Sequence, residues 1–118
     1  MNIRRFSVLT GLSSHTLRYY EKISLLKNIH RNASGHRVYT NKDLDWINFV
    51  IRLKDTGMPI KEILDYAKLR ELGAGTLQAH QALLENHRKR LNAHIESQLS
   101  HLAALEQKIT LYQLGKVA

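Results

Sequence analysis

Between Thr76 and Leu114 the chain contains no glycine and no proline, the two residues that most reliably interrupt a helix. The stretch reads as one helix of roughly 57 Å at 1.5 Å per residue. A rod of that length cannot be folded into a small globule and must find its packing partner sideways. Leu77, Leu84, Leu91, Gln98, Leu105 and Tyr112 recur every seven residues, and Gln81, Arg88, Ile95, Leu102 and Ile109 interleave four residues later. This is a coiled-coil seam, polar near its start and apolar toward its C-terminal end. A lone helix would leave that stripe in water, so a partner helix is expected, most simply a second copy of the chain. Leu84, Leu91, Ile95, Leu102, Leu105, Ile109 and Tyr112 are the expected dimerisation residues.

What precedes the rod is large enough for one small domain, and 43% hydrophobic residues across the 118-residue chain supply a modest core. Cysteine is absent, which excludes disulfides, thiol nucleophiles, cysteine-ligated zinc and thiol redox sensing. The longest apolar run, Leu102 to Leu105, is far short of the roughly 20 residues a membrane helix needs. Met1 to Phe6 carries no signal-peptide core. A soluble, unprocessed, cytoplasmic chain with no membrane partner is expected.

The formal charge of +8 is unevenly placed. Residues 1 to 40 hold seven bases (Arg4, Arg5, Arg18, Lys22, Lys27, Arg31 and Arg37) against a single acid, Glu21, a net of +6. The remainder holds eleven bases and nine acids, a net of +2. A positive field concentrated in this way attracts a polyanion: nucleic acid, an anionic membrane or an acidic protein.

Residues 4 to 11 read as a short helix, with Phe6, Val8, Leu9 and Leu12 on its buried face, a weak start at Arg4 and a stop at Gly11. Ser13 or Ser14 then caps a second helix through His15 to Glu21. That is helix-turn-helix spacing. Asn28 to His30 and Arg37 to Tyr39 alternate polar and apolar residues around Ala33-Ser34-Gly35 and predict a two-stranded hairpin. Thr40 to Asp43 fits a capping box opening a third helix, with Leu44, Ile47 and Ile51 on its apolar face and Trp46, Phe49, Val50 and Leu53 alongside. Gly57 ends that helix, and Pro59 opens a fourth with Ile60, Ile63, Leu64 and Ala67 on one face. Gly73 and Gly75 punctuate its end, and Thr76 caps the rod. The expected units are residues 1–72 and 76–114.

The pattern richest in chemistry is Thr16-Leu17-Arg18-Tyr19-Tyr20-Glu21 within the basic helix-turn-helix. Arg18 offers a planar fork to phosphate or guanine, and the two tyrosine hydroxyls can donate to phosphate oxygens. Ser14, His15 and Thr16, at the start of that helix, are placed to reach duplex DNA, His15 and Thr16 at base edges in the major groove. On structural grounds alone, one of the two tyrosines belongs in the core. The hairpin adds Arg31 and Arg37 around Ser34-Gly35-His36, cations on a projecting loop that can lie along a duplex backbone.

These segments, with Leu25-Leu26, Arg37-Val38-Tyr39, Asp43-Leu44 and Gly57-Met58-Pro59-Ile60-Lys61-Glu62-Ile63, resemble in order and spacing the MerR family of bacterial transcription regulators. The match is close over residues 3 to about 72, and the trailing rod agrees in kind. The resemblance implies a mainly α fold, a winged helix-turn-helix DNA-binding domain followed by a long helix pairing as an antiparallel coiled coil in a homodimer. It further implies a pseudo-palindromic promoter with an overlong spacer, distorted so that RNA polymerase can use it. By motif position it assigns Arg18, Tyr19 and Tyr20 to the recognition helix, Arg37 and Tyr39 to the wing, and Lys54 to a further phosphate contact. The family usually has glycine where Ser24 stands and an aromatic where His36 stands. Leu53 to Ile60 looks most like the aldehyde-responsive branch, but Arg52 occupies the place of its sensor cysteine.

His80, His87, His94 and His101 also recur every seven residues, on one flank of the seam. Seven residues separate successive imidazoles by about 10.5 Å, too far for one chain to chelate a single ion, so a solvated flank is the simpler expectation and a pH or metal response the rarer one. No paired carboxylates, Ser-His-acid order or Gly-rich phosphate loop stands out, and His15, His30 and His36 lack a nucleophile. No catalytic residue, metal site or cofactor is expected. The reading is a homodimeric, sequence-specific DNA-binding regulator. A coiled-coil scaffold with a basic docking domain is the alternative.

Overall fold

Asn2, not Arg4, opens the first helix: its side-chain oxygen accepts the Arg5 backbone N–H at 2.8 Å, which satisfies one of the donors a helix start leaves unpaired. The structure is a computed structural model and describes residues 1–116. Helix α1 (Ile3–Thr10) therefore begins a residue before the expected start and stops at Gly11, whose φ of 73° is left-handed. Helix α2 (Ser14–Lys22) is capped by Ser13, which accepts from the Thr16 N–H and so resolves the choice between the two serines. After α2 the chain turns through Ser24, and the Leu25 and Leu26 N–H groups both donate to the Tyr20 carbonyl.

Strands β1 (His30–Arg31) and β2 (Arg37–Val38) pair antiparallel with His30 opposite Val38 and Arg31 opposite Arg37. Within their loop the Asn32 side chain accepts the N–H groups of both Ser34 and His36, and Gly35 takes a φ of 79°. Helix α3 (Asn41–Asp55) starts on a reciprocal capping box between Thr40 and Asp43. Helix α4 (Ile60–Leu72) follows Pro59, whose carbonyl accepts from Glu62 and Ile63. A single 3-10 turn (Ala74–Thr76) intervenes before helix α5 (Leu77–Gln113). Thr76 ends that turn, its hydroxyl donating to the Leu69 and Gly73 carbonyls.

The chain divides into two compact units at Leu77/Gln78. In the first unit Phe6, Leu17, Leu26, Tyr39, Ile47, Val50 and Ile63 are essentially inaccessible to solvent. Trp46 is mostly buried, and its indole N–H donates 2.8 Å to the Leu25 carbonyl, tying α3 to the segment leaving α2. The second unit is α5 itself. Leu84 and Leu91 are half-buried, whereas Ile95, Leu102, Leu105, Ile109 and Tyr112 are 46 to 62% exposed. The four heptad-spaced histidines are not equivalent, which corrects the expectation of a uniformly solvated flank: His87 is buried, His80 half-buried, and His94 and His101 exposed.

Among the described residues two other than glycine hold a positive φ, Ser24 at 67° and Asn28 at 57°. Asparagine tolerates the left-handed region through local hydrogen bonding, whereas serine at Ser24 meets the ordinary Cβ penalty there. Ser24→Gly is expected to stabilise the first unit by about 0.5–1 kcal/mol, after the extra unfolded-state entropy of glycine is subtracted. Urea unfolding at neutral pH measures it.

Candidate nucleic-acid interface

Helix α2 is amphipathic in the sense the helix-turn-helix requires. Leu17 and Tyr20 face the core while His15, Arg18 and Tyr19 are exposed, with Ser14 and Thr16 half-buried between them. This division follows from the 3.6-residue period: positions three apart share a face. The Ser13 cap fixes where the helix begins, and the Ser13 hydroxyl also contacts the Thr16 hydroxyl at 3.0 Å.

Beside α2 the hairpin closes an open cleft of about 690 Å³ lined by Met1 to Arg4, Arg18, Arg31, Asn32 and Gly35 to Val38. Arg4, Arg18, Arg31 and Arg37 thus converge from α1, α2 and both strands. Guanidinium groups present forked donors to phosphate. Two of the four are held by the protein itself. Arg31 donates Nη1 to the Gly35 carbonyl at 2.8 Å, bracing the loop, and Arg37 donates Nε to the Glu21 carboxylate at 2.6 Å. The motif assignments had passed over Arg4 and Arg31. Arg31 was visible as a cation on the hairpin, whereas Arg4 is brought in only by the way α1 packs.

The three motif tyrosines part company. Tyr19 is 49% exposed on α2. Tyr20 is the one in the core, as one of the pair had to be. Its hydroxyl accepts from Lys54 Nζ at 3.2 Å and the same ammonium lies 5.8 Å from the ring centroid. Lys54 and Tyr20 therefore link the end of α3 to α2, and the burial of Tyr20 sets it apart from the exposed face of that helix.

Tyr39 requires a correction. It was expected among the DNA contacts of the wing, but it is 1% exposed and stacks flat on Phe6, with ring centroids 4.2 Å apart and planes 4° from parallel. Its backbone pairs with Met1, the Met1 amine donating to the Tyr39 carbonyl and the Tyr39 N–H to the Met1 carbonyl, each at 2.7 Å. The ring is enclosed because the residue after β2 must turn inward before α3 begins. Its hydroxyl is buried with no hydrogen-bond partner among the described residues. Burial, reinforced by the negative charge of Glu21, holds this phenol above its usual pKa.

Among the described residues no group of three or more His, Asp or Glu side chains is arranged to hold a metal ion, and no helix is long and apolar enough to cross a membrane.

Two family models match the chain: the MerR HTH family regulatory protein over residues 1–69, and the MerR DNA-binding model over residues 44–110. A Haemophilus influenzae protein described as an uncharacterized HTH-type transcriptional regulator is 38% identical over 106 residues, covering 90% of this chain and 78% of its own length. The HTH-type transcriptional regulator AdhR of Bacillus subtilis is 35% identical over 91 residues, or 77% of this chain and 65% of AdhR. Among solved structures, HiNmlR, a MerR family regulator lacking the sensor domain and bound to promoter DNA, superposes with a TM-score of 0.86 at 34% identity, covering 96% of this chain and 86% of that one.

Removing the buried phenol oxygen tests the correction at Tyr39. Tyr39→Phe is expected to leave promoter binding intact and to raise stability by about 1 kcal/mol, the desolvation cost of an unpaired buried hydroxyl. Because the folded state raises this pKa, the wild-type stability linked to it is complete below the ordinary value of 10.0 and lost as pH rises through the raised value. Chemical denaturation of Tyr39→Phe above that pH shows none of that loss.

Proposed function

Since the chain belongs to the MerR family of helix-turn-helix transcription regulators, we propose that it works as a cytoplasmic homodimer that binds the two halves of a promoter site and deforms the DNA between them. The observation that carries this reading is the convergence of Arg4, Arg18, Arg31 and Arg37 on one cleft beside the exposed face of α2. A structural neighbour bound to promoter DNA favours it over a scaffold that merely docks a basic end.

In this mechanism the cleft and Lys54 neutralise phosphates and release their counterions, which supplies affinity without sequence information. His15, Thr16 and Arg18, with Ser14 beside them and Tyr19 on the same exposed face, supply register and base contacts from the start of α2. Affinity for a deformed spacer then gives an output at positions the protein does not touch. By family resemblance, the beneficiary of that deformation is RNA polymerase.

Dimerisation is carried by α5. Leu102, Leu105, Ile109 and Tyr112 are each half or more exposed along one seam of the single chain, a stripe of the kind that a second antiparallel helix covers. Leu84, Leu91 and Ile95 extend the same seam toward the start of the rod.

Gel shifts on the chain's own promoter region test the reading. Binding should fall steeply with salt, by about 0.9 in log K per log salt for each phosphate neutralised. Arg18→Ala should reduce binding at least about 30-fold across a dimeric site, removing a contact worth about 1–3 kcal/mol from each half. Sedimentation should leave that variant a dimer. Leu102→Asp should instead yield a monomer by sedimentation and lose about 100-fold or more in affinity for the full site, because the second half-site no longer binds at high effective concentration. Indifference of the wild type to both sequence and salt defeats the reading.

A further inference from the structure

Glu21 is the only acid among the first 40 residues, a region otherwise carrying seven Lys and Arg. A carboxylate beside a surface meant for a polyanion opposes binding by simple Coulomb repulsion. Its geometry shows what it does instead. Glu21 lies near the end of α2, Arg37 opens β2, and the carboxylate holds Arg37 Nε at 2.6 Å with both side chains only about a quarter exposed, 27 and 25%. Arg37 lines the cationic cleft and Glu21 does not. Engagement through Nε also leaves the two terminal nitrogens of the guanidinium, the pair that makes a forked contact with phosphate, outside this bond.

We infer that Glu21 is a positioning residue for nucleic-acid binding: its carboxylate fixes the Arg37 guanidinium against α2, so that recognition helix and wing meet the duplex as one preorganised surface. The inference rests on the DNA-binding reading above and assigns that surface a part which charge alone would count against it. An arginine held in its bound orientation before contact loses less side-chain freedom on binding, a saving of about 0.5–1.5 kcal/mol for a long flexible side chain. The same bond joins β2 to α2 across residues distant in sequence, so it also sets where the wing stands relative to the helix.

Repulsion and positioning predict opposite signs. Glu21→Gln removes a negative charge, so a purely electrostatic role makes promoter binding tighter. The positioning role makes it weaker, by about two- to thirteenfold per half-site, the preorganisation saving expressed as an affinity ratio. Circular dichroism and dimer sedimentation are expected to match wild type, which separates positioning from misfolding.

In the Arg37→Ala background Glu21→Gln should no longer weaken binding, because the residue through which it acts is gone, and Glu21→Asp should recover part of the loss in the otherwise wild-type chain. A readout that needs no DNA comes from the Arg37 Nε–H resonance, which should exchange slowly with solvent in wild type and rapidly in Glu21→Gln. Binding of Glu21→Gln at or above wild-type strength overturns the inference while leaving the regulatory reading standing. Failure of the wild type to bind any fragment of its promoter region overturns both.

Discussion

The flat stack of Tyr39 on Phe6 is the contact on which the first unit depends. Phe6 belongs to the helix that begins the domain, and Tyr39 sits at the junction where the hairpin ends and α3 is about to begin. Offset aromatic pairs contribute about 0.5–1.5 kcal/mol beyond the area they bury, and here the backbone pairing of Met1 with Tyr39 reinforces the stack. Together they bring the first and second thirds of the domain into register. Arg4, carried on α1, and Arg37, carried on β2, line the same cleft, and this junction is one of the ties that hold the two elements together.

Local signals were the legible part of the fold. A serine cap at Ser13 or Ser14, the Thr40 and Asp43 box, the helix-ending glycines at Gly11, Gly57 and Gly73, the hairpin glycine Gly35, and the breaker-free rod all announce themselves within a few residues. Each reflects chemistry confined to one turn of chain. The first helix start is less legible: the apolar spacing points to Arg4, whereas the cap is Asn2, which accepts from the Arg5 N–H.

Tertiary packing was the illegible part. A motif position makes Tyr39 look like a residue of the wing surface, and only its burial against Phe6 shows that the ring belongs to the core. The sequence likewise offers two adjacent tyrosines without saying which turns inward. The choice falls on Tyr20, aligned with Leu17 on the inner face. The pairing of Glu21 is illegible in the sequence because acids in basic segments read as background, and its partner Arg37 arrives from another element. Even spacing likewise made the four histidines look alike, although their exposures differ from one to the next.

The environment of Trp46 has a practical consequence. It is the only tryptophan in the chain, mostly buried in the first unit, hydrogen-bonded to Leu25, stacked near Tyr66 and overlaid by the Arg70 guanidinium at 4.2 Å. Because α5 carries no indole of its own, tryptophan fluorescence excited beyond the tyrosine band sees the integrity of the first unit alone, while far-ultraviolet dichroism weights the rod. The molecule thus contains an unlabelled optical probe by which melting of its first unit can be followed separately from loss of helix in α5.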